Sequence, residues 1–156
     1  MSLLFGANTT DKVDHGSAAG LDNIPAGTMT VLARIYRTTG GNNQIIVGKR
    51  SGGVGWNFQM DDQQAAGGLA CTIGRGGVDA FRLTTTGNLL SLDTWYDVGL
   101  TWDSADDPTI RVYWVTSGGL PVESSAYHAL SGNGSGATDN EAATSLWVGN
   151  QAGPGN

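Results

Sequence analysis

Short apolar runs with a two-residue period recur along this chain, and each is bounded by glycine, asparagine or aspartate. Side chains alternate between the two faces of a strand, so this pattern predicts strands rather than helices. A short opening strand is predicted at Ser2–Phe5, and a local pairing at Lys12–His15. About ten strand segments at a spacing of ~8–12 residues predict an all-β sandwich or barrel. The stronger runs are Met29–Arg37, 43–50, 55–61, 68–74, 79–86, 95–103, 109–116 and 145–150.

Glycine supplies the many turns that such a fold requires, with 25 glycines among 156 residues. Glycine frees the backbone for tight turns and weakens helices. The best helical candidate, Ser17–Asn23, is one turn at most. No repeat, linker or shift of composition divides the chain, so residues 1–156 are predicted to form a single domain. The small, polar stretch Leu130–Ala143 is predicted to be a long surface loop.

The charge balance argues against two classes of partner. Eight basic residues face fourteen acidic ones, for a net charge of −6, and the basic residues are scattered. Nucleic acid and anionic membrane surfaces are bound through clustered Lys and Arg, so neither is an expected partner. The single cysteine, Cys71, excludes an intrachain disulfide. With no signal-peptide pattern at the start, we expect synthesis in the cytoplasm.

The order of the segments resembles the concanavalin A-like lectin/glucanase superfamily, in its laminin-G/pentraxin-like branch. Three pieces carry the likeness: D-K-V-D-H-G-S-A-A-G-L-D-N-I-P with the strand after it, D-T-W-Y-D-V-G-L-T-W-D, and T-I-R-V-Y-W-V. The resemblance implies a jelly-roll sandwich of two curved antiparallel sheets. Short domains of this kind that begin at a methionine are similar to tail, fibre and decoration proteins of tailed bacteriophages. That likeness implies a place on a virion surface.

One departure from the family concerns the end of the chain. Family domains close with a strand that follows the L-W-V-G-N segment and pairs with the N-terminal strand, whereas this sequence ends in Q-A-G-P-G-N. An uncovered edge strand invites pairing. Three alternatives stay open: the final strand lies beyond Asn156, a partner chain or a second copy of this chain closes the edge, or the family's last strand is dispensable in this domain. The first two are the favoured ones, because the Gly-Pro-Gly ending is a turn.

The carboxylates argue against catalysis. Glycosidases need two carboxyl groups that flank one bond, and the glucanase relatives carry two glutamates on alternate residues of one strand. The two glutamates of this chain, Glu123 and Glu141, lie in late, loop-like segments. The strands expected to line a cleft carry Asn57, Gln59 and Arg82 instead. We expect no enzymatic activity.

No cofactor is expected, although calcium is common in the superfamily. Asp139-Asn140-Glu141 or Asp61-Asp62 could supply oxygen ligands. Calcium takes ~6–8 oxygens, and these short acidic groups supply few of them, so solvated loop acids are the preferred interpretation.

The tryptophans are mostly expected in the core, because large aromatic side chains dominate burial. At least three of Trp95, Trp102, Trp114 and Trp147 should be buried, with Trp95 among them. In the run W-N-F-Q-M-D, alternation places Trp56, Phe58 and Met60 on one face and Asn57, Gln59 and Asp61 on the other.

A polar and aromatic sheet surface is the candidate binding site. It consists of Arg34, Tyr36, Asn57, Gln59 and Tyr113. Such a surface suits sugar hydroxyls and ring stacking, and it suits a protein contact equally well. The alternative is an ordinary solvated sheet face.

The function predicted from the sequence is therefore a non-catalytic binding or assembly domain. The resemblance implies a phage-type virion protein that recognises a glycan or docks on a neighbouring protein. A free-standing lectin module is the alternative, and a glycoside hydrolase is the least favoured of the three.

Overall fold

The computed structural model describes residues 12–40, 44–61, 67–84, 89–104, 110–116, 118–125, 127 and 132–149. Two short 3₁₀ turns, Ala19–Leu21 and Ile24–Ala26, lie where the sequence allowed one helical turn at most. The rest of the regular structure is strand. The strands are β1 Lys12–Asp14, β2 Thr28–Arg37, β3 Gln44–Ser51, β4 Val54–Asp61, β5 Gly68–Ile73, β6 Ala80–Leu83, β7 Thr94–Asp103, β8 Arg111–Thr116, β9 Val122–Glu123 and β10 Trp147–Gly149.

The strands form two antiparallel sheets. One sheet has six strands in the order β1-β10-β3-β4-β5-β6, and the other has four in the order β2-β7-β8-β9. The predicted all-β jelly-roll sandwich is confirmed. Consecutive strands β3 and β4 are joined by the two-residue turn Gly52-Gly53, where both φ angles are positive. Such turns match the twist of the strands they connect, and glycine adopts them without steric strain.

The core lies between the facing sides of the two sheets. Alternate residues of β4 and β7 supply much of it, including Trp56, Phe58, Val98, Leu100 and Trp102. Met60 packs against this core, while Asn57, Gln59 and Asp61 point away from it, as the alternation in the sequence predicted. The outer face of each sheet is the face turned away from this core.

Cys71 is fully buried in β5 beside Phe58. Burial raises the pKa of the Cys71 thiol far above its ordinary value, because desolvation penalises the thiolate. The thiol therefore packs as a small apolar group.

The predicted burial of Trp95 is wrong. Its side chain is 44% exposed, on the outer face of β7, whereas Trp102 in the same strand is 2% exposed. The two residues are an odd number of positions apart, so a regular strand cannot turn both toward the core. Trp114 packs against the core only in part, and Trp147 is buried on the outer side of its sheet. Of the four tryptophans expected mostly in the core, Trp102 and Trp147 are buried, Trp114 is partly buried, and Trp95 is exposed.

Short segments pair with the outer strands at both ends of the six-stranded sheet. At one edge β1 pairs with β10, so Lys12–Asp14 and Trp147–Gly149 meet directly. At the other, residues 132–138 form isolated bridges that include Phe81 to Gly132 and Arg75 to Thr138. The stretch predicted as a surface loop thus covers the β6 edge in part. The predicted opening strand Ser2–Phe5 lies outside the described residues.

A partly buried ion pair joins β3 to the end of the first 3₁₀ turn. Lys49 is fully buried, and its Nζ donates to Asp22 Oδ1 at 2.6 Å and to the Leu21 carbonyl at 3.0 Å. Two acceptors compensate the desolvation of this ammonium. Among the described residues, no helix is long and apolar enough to cross a membrane.

The Asp22–Lys49 pair should make stability depend on pH. The hydrogen bond from Lys49 holds the pKa of Asp22 below its ordinary value of 3.8. The pair therefore stabilises the fold above that value, and this contribution is lost as the pH falls through the lower pKa of the folded protein. Urea unfolding of wild type and Asp22→Asn across a pH series should show a stability difference that is largest near neutrality and shrinks in acid. A difference that does not vary with pH would contradict this account.

Candidate functional site

The structure does not bring the five predicted site residues together. Arg34, Tyr36 and Tyr113 lie on the outer face of the four-stranded sheet, whereas Asn57 and Gln59 lie on the outer face of the six-stranded sheet. The core separates these two faces, so the predicted single surface is in fact two surfaces. Whether any of the five binds a ligand stays a prediction.

On the six-stranded sheet, one row of residues crosses five strands. In register, Trp147 of β10 faces Gly48 of β3, which faces Asn57 of β4, then Thr72 of β5 and Phe81 of β6. Four strand spacings of about 4.8 Å make this row about 19 Å long. Aromatic rings stand at its two ends, and the middle is polar. We call Arg50, Asn57, Thr72, Phe81 and Trp147 around Gly48 the Gly48 site.

A ladder of polar side chains continues from this row along β4. Asn57 Nδ2 donates to Gln59 Oε1 at 2.7 Å, and Gln59 Nε2 donates to Asp61 Oδ2 at 3.3 Å. The three residues share a face because they alternate along one strand. Asn57 is partly exposed, while Gln59 and Asp61 are buried. The hydrogen bond to Gln59 therefore fixes the orientation of the Asn57 amide.

An ion pair fixes the side chain of Arg50 within the Gly48 site. Arg50 Nη2 donates to Asp79 Oδ2 at 2.9 Å, and the Asp79 carboxylate also accepts the backbone N–H of Arg75 at 3.2 Å. In β4 the residue opposite Arg50 is Gly55, whose φ of 102° is open to glycine but rarely to other residues. A Cβ at Gly55 would lie against the backbone of Lys49 and Arg50, so glycine lets the two strands approach closely beside Arg50.

Gly48 forms the floor of the site. A Cβ added to Gly48 would lie 3.0 Å from Asn57 Cβ and 3.1 Å from the Trp56 carbonyl oxygen. Gly48 is itself buried, and glycine fits here because any side chain would crowd Asn57 and the neighbouring backbone. On the far side of the ring, the Lys12 ammonium lies 5.8 Å from the ring centroid.

The outer face of the four-stranded sheet carries a second candidate surface, which we call the Trp95 surface. Tyr36 and Trp95 pair across β2 and β7 with ring centroids 5.2 Å apart. Beside them, Arg34 binds Asp97 through two hydrogen bonds of 2.7 and 2.9 Å. Leu32, 74% exposed, leans over Gly99, which faces Tyr113 in β8. The hydrogen bond with Arg34 lowers the pKa of Asp97, so the pair is charged at neutral pH.

A family model for the concanavalin A-like lectin/glucanases superfamily, Laminin_G_3, matches residues 8–155. The chain belongs to this superfamily. No curated protein and no solved structure was found to match the sequence. The superfamily contains both lectins and glucanases. Membership therefore establishes the fold and leaves open the choice between binding and catalysis.

The two glutamates of the chain lie in different parts of the fold. Glu123 lies in β9, in the four-stranded sheet, with Arg111 Nη1 at 3.1 Å. Glu141 is buried in the segment before β10, where its Oε1 accepts the backbone N–H of Ile24 at 3.0 Å. On the outer face of β4, amides stand at positions 57 and 59.

The acids considered as calcium ligands in the sequence make hydrogen bonds within the protein. Asp61 and Glu141 are buried, so the preferred interpretation as solvated loop acids is wrong for these two. Asn140 Oδ1 accepts the N–H of Ala142 at 3.0 Å, and the Asp139 carboxylate lies against Gly74. In the Asp61-Asp62 pair, Asp61 accepts a hydrogen bond from Gln59. Asp62 lies outside the described residues. Across the described part of the chain, no three or more His, Cys, Asp or Glu side chains form a group that could hold a metal ion.

Sequence reasoning missed several members of both surfaces. In the Gly48 site these are Arg50, Thr72, Phe81 and Trp147, and on the Trp95 surface they are Leu32, Trp95 and Asp97. The odd spacing of Trp95 and Trp102 is a signal that could have revealed the exposed tryptophan. No comparable signal exists for the Gly48 row, because the register between strands is set by the tertiary structure.

Proposed function

We propose that this chain is a non-catalytic carbohydrate-binding domain and that the Gly48 site holds the glycan. The observation that carries the proposal is the row from Trp147 to Phe81, in which Asn57 and Thr72 stand between two aromatic rings on one sheet face. A pyranose ring has an apolar C–H face and a rim of hydroxyls. Aromatic rings pack against the C–H face of a sugar. Hydroxyl and amide groups both donate and accept hydrogen bonds, so they match the hydroxyl rim.

The side chains on β4 support binding without hydrolysis. Both glycosidase mechanisms need one carboxyl group as general acid and a second as base or nucleophile, across the same glycosidic bond. Asn57 and Gln59 can hydrogen-bond to sugar hydroxyls, but their amides cannot take either role. Asp61 is buried and accepts from Gln59. We therefore propose that a bound glycan is held intact.

Docking on a neighbouring protein is the second candidate function, favoured by the Trp95 surface. Trp, Tyr and Arg are enriched at protein interfaces, and here they lie beside a leucine that is 74% exposed. This surface fits assembly within a virion appendage or a homo-oligomer. If it serves assembly, Leu32→Asp should break an association detected by light scattering and leave glycan binding intact.

A glycan array probed with the 156-residue protein tests the first candidate. At least one glycan should bind saturably, and prolonged incubation with it should release no shorter sugar. Asn57→Ala should weaken binding by about tenfold to a hundredfold, because hydrogen bonds to buried polar groups are lost.

Tyr36→Ala, on the opposite sheet, is the matched control and should bind as wild type does. If Tyr36→Ala abolishes binding while Asn57→Ala does not, the glycan site lies on the Trp95 surface and the Gly48 assignment is wrong. Binding of no glycan by wild type would reject the carbohydrate function.

A further inference from the structure

The outer face of the four-stranded sheet is open to solvent although it carries several apolar and aromatic side chains. Leu32 is 74% exposed, Trp95 44% and Tyr36 43%, and Tyr113 is partly exposed on β8. Exposed apolar groups that share one face mark interaction sites. The size and the charge of the Trp95 surface indicate which partner fits it.

The Trp95 surface is large enough for a specific contact between two copies of the chain. Its strands β2, β7, β8 and β9 contain ten, ten, six and two residues. At about 3.3 Å per residue and about 4.8 Å between strands, they present a face of about 450 Å². Two such faces in contact bury about 900 Å² of flat sheet, and projecting side chains such as Tyr36 and Trp95 raise this to about 1,000 Å², the lower limit for a specific interface.

The charge of this face favours a second copy over a partner of opposite charge. The chain has a net charge of −6, so two copies repel one another in general. On the outer face of this sheet, however, Arg34 pairs with Asp97 at 2.7 Å and Arg111 pairs with Glu123 at 3.1 Å. Each of these cations is neutralised by an acid, so the repulsion between copies is weakest when they meet here. A basic partner would be drawn to the more acidic parts of the molecule instead.

The middle of the Trp95 surface is flat enough for one sheet to stack on another. Leu32 of β2 faces Gly99 of β7, which faces Tyr113 of β8. The Leu32 side chain lies across this glycine, because a Cβ at Gly99 would be 2.7 Å from Leu32 Cδ2. The row thus has an apolar centre with no side chain standing up from β7. Sheets that stack face to face lie about 10 Å apart, with their strands within about 30° of each other.

We infer that the Trp95 surface is the contact face of a homodimer, in which a second copy of this chain stacks its own Trp95 surface on the first about a two-fold axis. The inference rests on the second candidate function, docking, and goes beyond it by naming the partner. A two-fold contact uses the same patch on both copies, so association stops at two. The six-stranded sheets then lie on the outside of the dimer, which carries one Gly48 site on each side.

Light scattering by the 156-residue protein between about 1 µM and about 1 mM tests the inference, because interfaces of this small size are weak. The mass should double and rise no further. Added salt should tighten the dimer, since it screens the repulsion between two copies of net charge −6. Acrylamide quenching of tryptophan fluorescence should fall over the same concentrations, since Trp95 is the most exposed of the tryptophans.

Trp95→Ala should raise the dissociation constant of the dimer about tenfold or more, because aromatic side chains in the middle of an interface contribute most of its affinity. Val78→Ala is the control. Val78 is 64% exposed, but it lies between β5 and β6, in the other sheet. Its loss should leave the dissociation constant unchanged.

The outcomes separate this inference from the proposed functions. A protein that stays monomeric, growth into larger oligomers, weakening by salt, or a dimer that Trp95→Ala leaves unchanged would overturn the homodimer. A monomer would leave docking on a different protein standing as the second candidate function. The glycan array tests the carbohydrate function separately, because the Gly48 site lies on the opposite sheet.

Discussion

Replacing Trp102 by alanine is expected to lower the free energy of unfolding by about 3–5 kcal/mol, because it removes a buried aromatic side chain and leaves a cavity. Trp102 is 2% exposed within the core cluster. Its indole Nε1 also donates to the Pro25 carbonyl at 2.9 Å, so the second 3₁₀ turn loses a contact with β7. Urea unfolding of the purified variant measures the loss.

Trp95→Ala is the matched control, since it removes the same side chain from the same strand. Trp95 is exposed, and its main described contact is with the Tyr36 ring. Its loss should cost about 1 kcal/mol, the scale of an aromatic pair at a surface. If Trp95→Ala proves the more damaging change, then β7 turns its other face to the core and the Trp95 surface does not exist.

Gly55→Ala is expected to lower the free energy of unfolding by about 3 kcal/mol or more, through backbone strain and overpacking together. The φ of Gly55 is 102°, and a Cβ at this position would lie 1.9 Å from the Lys49 carbonyl oxygen. That contact is with backbone, so no rotation of a side chain relieves it. The change should therefore separate β3 from β4 beside Arg50.

Gly52→Ala distinguishes this clash from the loss of a glycine in general. Gly52 lies in the turn between the same two strands with a φ of 59°, and no heavy atom lies within 4 Å of the position of its Cβ. Its replacement should cost about 1 kcal/mol, the penalty for a left-handed residue with a side chain. Similar losses for the two variants, measured by urea unfolding, would show that the close approach at Gly55 contributes little.

The alternation of apolar and polar residues along the chain predicted most of the strands and their faces. The run at Met29–Arg37 is β2 almost to the residue, and the alternation in W-N-F-Q-M-D gave the faces of β4 correctly. Both succeed because strand side chains alternate whatever the sheet around them. The same rule, applied to the spacing of Trp95 and Trp102, would have prevented the error in β7. That error came from assigning tryptophan to the core by residue type alone.

The candidate site could be predicted only in part. Asn57 and Gln59 were predicted correctly to share one outward face, because they alternate along one strand. Arg34, Tyr36 and Tyr113 were grouped with them because all five are polar or aromatic residues of strands, and a sequence does not say which strands share a sheet. Trp147 was assigned to the core, although it is buried on the outer face of its sheet.

Properties that depend on neighbours along the chain were therefore accessible from the sequence: the strands, their turns, the single buried thiol and the superfamily. Properties that depend on which distant segments meet were decided by the folded chain. Trp147 lies beside Gly48 only because β10 inserts between β1 and β3, at a separation of about a hundred residues. Such long-range pairings are selected by burial of the whole core. The free energy of that burial depends on all segments together and cannot be read from any one of them. The residues of the Gly48 site are brought together by these long-range pairings.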